Sequence, residues 1–190
     1  MNKLAAVLLA GGASTRMGQP KAFLPYQGMP LWKHQMNTLL ALRPSELFIS
    51  APRQIDFGVG PWKTLQDREA GLGPLAGLEA VLKETTAVRI LVLAVDMPGV
   101  TADFLRLLLD EADETGIVAK LDGFYQGTAA IYPRLILPMV EAVLASGDRS
   151  FQHLAQRAVA AGLLKVHRTA ENERPFFRNL NAPSDLDKHT

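Results

Sequence analysis

The chain contains no cysteine, which excludes a disulfide framework and any thiolate metal site. It also carries almost no net charge. Its 20 lysines and arginines stand against 19 aspartates and glutamates, a formal charge of +1. So even a balance argues against bulk binding to nucleic acid or to a membrane face. No apolar run approaches the roughly 18 residues that a membrane span needs. The histidines, at positions 34, 153, 167 and 189, form no H-x-x-x-H pair, so zinc chemistry has no support. Ser14 lacks a G-x-S-x-G elbow, and a hydrolase triad is equally unsupported. No linker, repeat or low-complexity segment interrupts the 190 residues. That length suits one α/β domain over residues 1–190, large enough to bury a real core.

At the N-terminus, Met-Asn-Lys followed by LAAVLLAGGA has the outline of a short signal peptide, basic and then apolar. The apolar piece is at the short end of that class, and the glycine turn after it has a better use. The cytoplasm is the expected compartment.

What is present is an alternation. LAAVLL (4–9) and LFIS (47–50) read as buried strands, WKTLQ (62–66) as a weaker one, and RILVLAVD (89–96) as the strongest. Between them run helical patterns: Leu31, Met36, Leu39, Leu40 and Leu42; then Leu75, Leu78, Val81 and Leu82; then Phe104, Leu107 and Leu108. After about residue 116 the rhythm loosens. TAAIY (128–132) reads as a strand, 133–146 and 150–161 as helices, and LLKVH (163–167) as a return to the sheet. Strand–helix alternation of this kind predicts three layers, a mainly parallel sheet with helices on both faces. Ligands of such sheets sit outside the carboxyl ends of the strands. Gly11-Gly12 and Asp96 both fall there.

The first of these strand ends carries the densest signal, LLAGGASTRMGQPKAFLP (8–25). Adjacent glycines let a backbone turn sharply and let a ligand reach main-chain N–H groups with no Cβ in the way. Arg16 offers a planar fork of donors and Lys21 a compact charge, both suited to phosphate oxygens. The loop has neither the Gly-Lys-Ser/Thr close of a Walker A sequence nor G-x-G-x-x-G. On chemistry alone a tight turn with solvated charges competes with a phosphate site.

Asp96 ends the apolar run ILVLAV, and a hard divalent cation with oxygen ligands gives a carboxylate reason to sit at a core's edge. The competing role is the start of a turn before Pro98. Gly73-Pro74 reads first as a helix start with proline at the first helical position. Asp67, Asn179 and Asn181 could equally be ordinary turn residues.

LAGGASTRMGQPKAFL resembles the L-A-G-G-x-S-x-R-M-G-x-x-K signature of the nucleotidyltransferases that include molybdenum cofactor guanylyltransferase. GPLAGL (73–78) is similar to that group's second glycine loop, AVDMP (94–98) to its metal-binding aspartate segment, and NLNAPSDL (179–186) to its C-terminal N-x-N-x-P-x-D-L stretch. The four motifs stand in order over nearly the whole chain.

The resemblance implies a Rossmann-like nucleotidyltransferase fold and assigns roles residue by residue. The backbone of Leu9, Ala10, Gly11 and Gly12 would hold the nucleotide, and Lys21, with Arg16, would contact the triphosphate. Asp67 would contribute to the nucleotide pocket, and Asp96 would bind Mg²⁺. Asn179 and Asn181 would lie near the acceptor. The implied reaction is Mg²⁺-dependent transfer of GMP from GTP to molybdopterin cofactor with release of pyrophosphate. Molybdoenzyme apoproteins or their chaperones are the implied protein partners.

Two departures bear on base and acceptor. The family often has asparagine where this chain reads SAPRQ (50–54), and Q-P where it reads FYQGTAAIY (124–132). Cytidylyl transfer, transfer to a sugar phosphate, and a non-catalytic nucleotide-binding module are therefore the alternatives.

Overall fold

The computed structural model describes residues 3–11, 20–52, 55–66, 73–113 and 115–180. In chain order, β1 (Leu4–Leu9) leads to a small hairpin of β2 (Pro25–Tyr26) and β3 (Met29–Pro30), then helix α1 (Leu31–Leu40), β4 (Glu46–Ala51) and β5 (Lys63–Gln66). Next come α2 (Pro74–Glu84), β6 (Arg89–Ala94), α3 (Ala102–Glu111), β7 (Gly116–Leu121) and β8 (Phe124–Pro133). The chain continues through α4 (Leu137–Ala145), α5 (Phe151–Ala160) and β9 (Leu164–Arg168). Short 3-10 turns cover Lys21–Phe23, Arg134–Ile136 and Glu171–Phe177.

The main sheet has the order β5-β4-β1-β6-β8-β7-β9. β5, β4, β1 and β6 are mutually parallel, and β8 runs antiparallel to both β6 and β7. β9 is parallel to β7, so β8 alone reverses within this sheet.

The apolar runs explain why the sheet is covered on both faces. In β1, Ala6 and Leu8 enter one core together with Leu31, Met36 and Leu39 of α1 and Phe104, Leu105 and Leu108 of α3. Ala5, Val7 and Leu9 enter the other, with Leu75, Leu78, Val81 and Leu82 of α2 and the inner faces of α4 and α5. A strand buried on both faces cannot alternate with polar residues, hence the unbroken LAAVLL and ILVL. Each such Leu, Ile or Val contributes about 1.5–3 kcal/mol through burial. The strands carrying the glycine loop and Asp96 are thus among the best anchored in the molecule.

Helix starts follow local chemistry. Thr101 caps α3 by accepting from Phe104 N–H, and Ser150 caps α5 by accepting from His153 N–H. Gly73, at φ 75°, precedes Pro74 at the first turn of α2, as the dipeptide predicts.

Several expectations need adjustment. Leu42 lies beyond the end of α1, where Arg43 turns the chain at φ 51°. The helix expected from residue 133 begins instead as the 3-10 turn Arg134–Ile136, and α4 starts at Leu137. TAAIY is the inner half of a ten-residue strand, β8. β7 has no counterpart among the expected strands, because Gly116 and Lys120 leave it too short an apolar run. Gly116 is required by close approach: a Cβ there would lie 2.3 Å from the Ile131 carbonyl oxygen. Among the described residues, no helix is long and apolar enough to cross a membrane.

Candidate active site

The chain leaves β1 towards β4 and β5 on one side, then returns to β6 on the other. The crevice outside the carboxyl ends of β1 and β6 is therefore the topological switch point, the usual ligand position in such sheets. A cavity of about 300 Å³ opens there. Leu9, Ala10 and Gly11 form one wall, Lys21 and Asp96 face into it, and Thr128 and Asn179 complete its lining.

Each wall is fixed by the backbone. Ala10 N–H donates to the Ser50 carbonyl at 2.8 Å, and Val95 N–H donates to the Leu9 carbonyl at 3.0 Å. The sheet ladder therefore runs one residue past β1, and Ala10 N–H is already committed to it. Leu9 and Ala10 shape the wall, and Gly11 is the first expected cradle residue beyond the ladder. The second glycine loop packs close by. A Cβ on Gly77 would sit 2.4 Å from Ser50 Oγ and 3.0 Å from Leu9 Cδ2, so α2 lies hard against the ends of β1 and β4. Its Pro74 reaches the cavity lining.

Lys21 and Asp96, 75 residues apart, come together with Nζ 3.5 Å from Oδ2. Their side chains are 22% and 27% exposed. The pair is accessible to a ligand yet shielded enough for its charges to count for more than in bulk water. The 3-10 turn Lys21–Phe23 carries the lysine, and Phe23 stacks on Phe57 with ring centroids 5.7 Å apart, tying the turn to the 55–62 segment.

The C-terminal segment closes another side. Leu180 N–H donates to the Asp96 carbonyl at 2.8 Å, which brings Asn179 to the cavity. A Cβ on Gly99 would lie 2.7 Å from the Pro175 carbonyl oxygen, so the turn after Asp96 accepts this segment only as glycine. Further back, His167 holds the segment in place. Its Nδ1 bonds Glu111 of α3 and its Nε2 bonds Glu173 of the last 3-10 turn, both at 2.9 Å. Glu173 also accepts from Ala170 N–H.

Burial pulls the His167 pKa down, but the hydrogen bonds that the ring donates to Glu173 and Glu111 outweigh it and leave the value raised. Lys165, paired with Asp113 and bonded to the Glu111 carbonyl, is the neighbouring cation. A raised folded value means that this contribution is full below the ordinary histidine pKa of about 6.5 and is lost as pH rises through the folded value. The stability gap between the wild-type protein and His167→Gln is expected to be widest near about pH 6 and to narrow by about pH 9. Thermal unfolding of both proteins across that range checks it; a gap that widens with pH contradicts the assignment.

Of the residues singled out in the sequence, the structure brings together Leu9, Ala10, Gly11, Lys21, Asp96 and Asn179. Gly12, Arg16, Asp67 and Asn181 lie outside the described residues. Thr128 was not anticipated. It reaches the cavity because β8 runs backwards, so that its first half sits beside the carboxyl end of β6, with Ala129 opposite Leu93. The nearest sequence signal was the FYQGTAAIY segment itself.

Among the described residues, no cluster of three or more His, Asp or Glu side chains could hold a metal. Asp96 nevertheless suits Mg²⁺, which characteristically binds through one or two carboxylates, with water and substrate phosphate completing its octahedron.

A family model described as "MobA-like NTP transferase domain" matches residues 6–166. The "Probable molybdenum cofactor guanylyltransferase" of Opitutus terrae is 35% identical, with 97% of this chain and 94% of that protein aligned. The "Molybdenum cofactor guanylyltransferase" of Pseudomonas putida strain F1 is 33% identical over 95% of this chain and 94% of its own length. Among solved structures, molybdopterin-guanine dinucleotide biosynthesis protein A from Archaeoglobus fulgidus matches with a TM-score of 0.77 at 20% identity, covering 97% and 96% of the two chains. The 2-C-methyl-D-erythritol 4-phosphate cytidylyltransferase of Thermus thermophilus matches at 0.74 and 18% identity, covering 96% and 95%. At such identities these two likenesses speak for the fold.

Proposed function

The chain belongs to the MobA-like NTP transferase domain family, and from that premise we propose that it transfers GMP from GTP to molybdopterin, releases pyrophosphate and uses Mg²⁺. The observation that carries the chemistry is the Lys21–Asp96 pair, a cation and a hard oxygen ligand 3.5 Å apart in one cavity at the switch point. The choice of guanine and of molybdopterin leans on the names of the full-length relatives.

Nucleotidyl transfer attacks the α-phosphate in line and expels pyrophosphate. The protein's part is positioning and charge neutralisation. Lys21, joined by Arg16, binds the triphosphate oxygens and holds the leaving pyrophosphate. The wall formed by Leu9, Ala10 and Gly11 orients the nucleoside, a task that the sequence resemblance gives to Gly12 and Asp67 as well. Asp96 is the ligand for Mg²⁺, which when bound adds charge neutralisation at the reacting phosphate. Asn179 and Thr128, both in the cavity lining, serve the acceptor, a role that the sequence resemblance gives to Asn181 as well. A phosphate acceptor arrives ionised, so no side chain need serve as general base. We place this work in the cytoplasm, with molybdoenzyme apoproteins or their chaperones as recipients of the product.

Base choice gives the test. A site that offers buried hydrogen-bond partners rejects a ligand unable to satisfy them far better than an apolar slot does. GTP should therefore displace a fluorescent GTP analogue well below the concentrations of ATP or CTP required, even with no acceptor present. If CTP displaces it best, the guanylyl assignment fails and the cytidylyl alternative takes its place.

A further inference from the structure

We propose that Gln35 is the positioning residue that sets the carboxylate of Asp96 for its divalent cation; this rests on the metal role given to Asp96 above. Gln35 is completely buried on the inner face of α1. Its Nε2 donates to two backbone carbonyls, Ala94 at 3.1 Å and Met97 at 2.8 Å. These carbonyls flank Val95 and Asp96, so one amide group grips both ends of the turn that presents the carboxylate. Because both neighbours are acceptors, the amide nitrogen must be the atom that faces them.

The other half of the same amide points to its purpose. Among the described residues, Gln35 Oε1 is buried with no hydrogen-bond partner. Burying an unsatisfied acceptor costs about 1–3 kcal/mol. A core position beside Met36 and Leu39 that needed only packing would be better served by leucine or methionine. The two donors therefore serve the turn. At Ala94 the β6 ladder ends, and the chain must bend so that Asp96 faces the cavity. Val95 N–H on the Leu9 carbonyl and Leu180 N–H on the Asp96 carbonyl fix the remaining sides. The turn's own backbone bond, from Met97 N–H to the Ala94 carbonyl, is long at 3.4 Å, and the Gln35 amide supports the same stretch from the side by holding the Ala94 and Met97 carbonyls together.

Partners that orient a metal ligand typically alter metal affinity by about 10- to 100-fold when removed. Gln35→Met keeps the length and the apolar stem and removes both donors. Gln35→Glu keeps the shape and turns an acceptor towards the two carbonyls. Mn²⁺, followed by the loss of its free-ion electron paramagnetic resonance signal, is titrated into each protein with GTP kept limiting, so that little free nucleotide competes for the ion, and against a GTP-only control; GTP affinity without metal is measured separately. Asp96→Asn is the reference. The expected result is loss of the Mn²⁺ site in Asp96→Asn and roughly tenfold weaker Mn²⁺ binding in both Gln35 variants, with metal-free GTP affinity unchanged within about twofold. If Asp96→Asn loses the site while both Gln35 variants bind Mn²⁺ like the wild type, the positioning role is overturned and the metal role of Asp96 stands. Should Asp96→Asn bind Mn²⁺ normally, both assignments fall. A Gln35 variant that weakens GTP and Mn²⁺ equally marks a general packing defect and also overturns the proposal.

Discussion

Asp96→Asn should fold as the wild-type protein does and lose about 10²- to 10³-fold in turnover, by analogy with deleting one charge-stabilising contact to a developing anion. The amide has the shape of the carboxylate, and the features that hold the turn do not use the Asp96 side chain: Val95 N–H on Leu9, Gln35 on Ala94 and Met97, and Leu180 N–H on the Asp96 carbonyl. What is lost is charge. The substitution removes the hard ligand proposed for Mg²⁺ and the partner of Lys21 at 3.5 Å. Pyrophosphate release with GTP and molybdopterin reads the effect, and a far-ultraviolet circular dichroism melt confirms the fold. Turnover within a few-fold of wild type would remove Asp96 from the metal role.

Lys21→Ala has the second largest expected effect, and its signature is a difference between ligands. The lysine is assigned to the triphosphate, so GTP should weaken by about 10- to 100-fold, the scale of one or two hydrogen bonds to a charged group. Guanosine, which has no phosphate, should bind almost as before. Stability should change little, because a partly exposed ion pair contributes at most about 1 kcal/mol. Calorimetric titration of both ligands into both proteins decides it. An equal loss for GTP and guanosine would place Lys21 against the base or ribose instead.

The parts of the fold that were legible are those where burial leaves a one-dimensional trace. β1 and β6 are covered on both faces, and their unbroken apolar runs gave their starts directly. The turn chemistry of Gly73-Pro74 gave the start of α2 in the same way. β7 was not legible, because its need for Gly116 comes from the Ile131 carbonyl and Leu164 packed against it, neither of which is local. The reversal of β8 was equally hidden: pairing direction is a property of the sheet, and a buried strand reads alike either way.

The site divides similarly. Gly11, Lys21 and Asp96 stood out in the sequence as glycine, cation and carboxylate near strand ends, and the structure brings all three to the lining of one cavity. Their meeting in one cavity follows from the parallel neighbours β1 and β6. Thr128 and Gln35 carried no such signal. Thr128 depends on the direction of β8, and Gln35 looks like any polar residue of a surface helix until its amide is found on the two carbonyls around Asp96.

The most direct measurement is pyrophosphate release from the purified protein, given molybdopterin, Mg²⁺ and each of GTP, CTP and ATP in turn, with the nucleotide-linked product identified by mass. The account predicts release with GTP that requires both molybdopterin and a divalent cation, a product heavier than molybdopterin by one guanylyl group, and little release with CTP or ATP. Binding of GTP with no release under any combination would contradict it and leave a nucleotide-binding module in place of the enzyme.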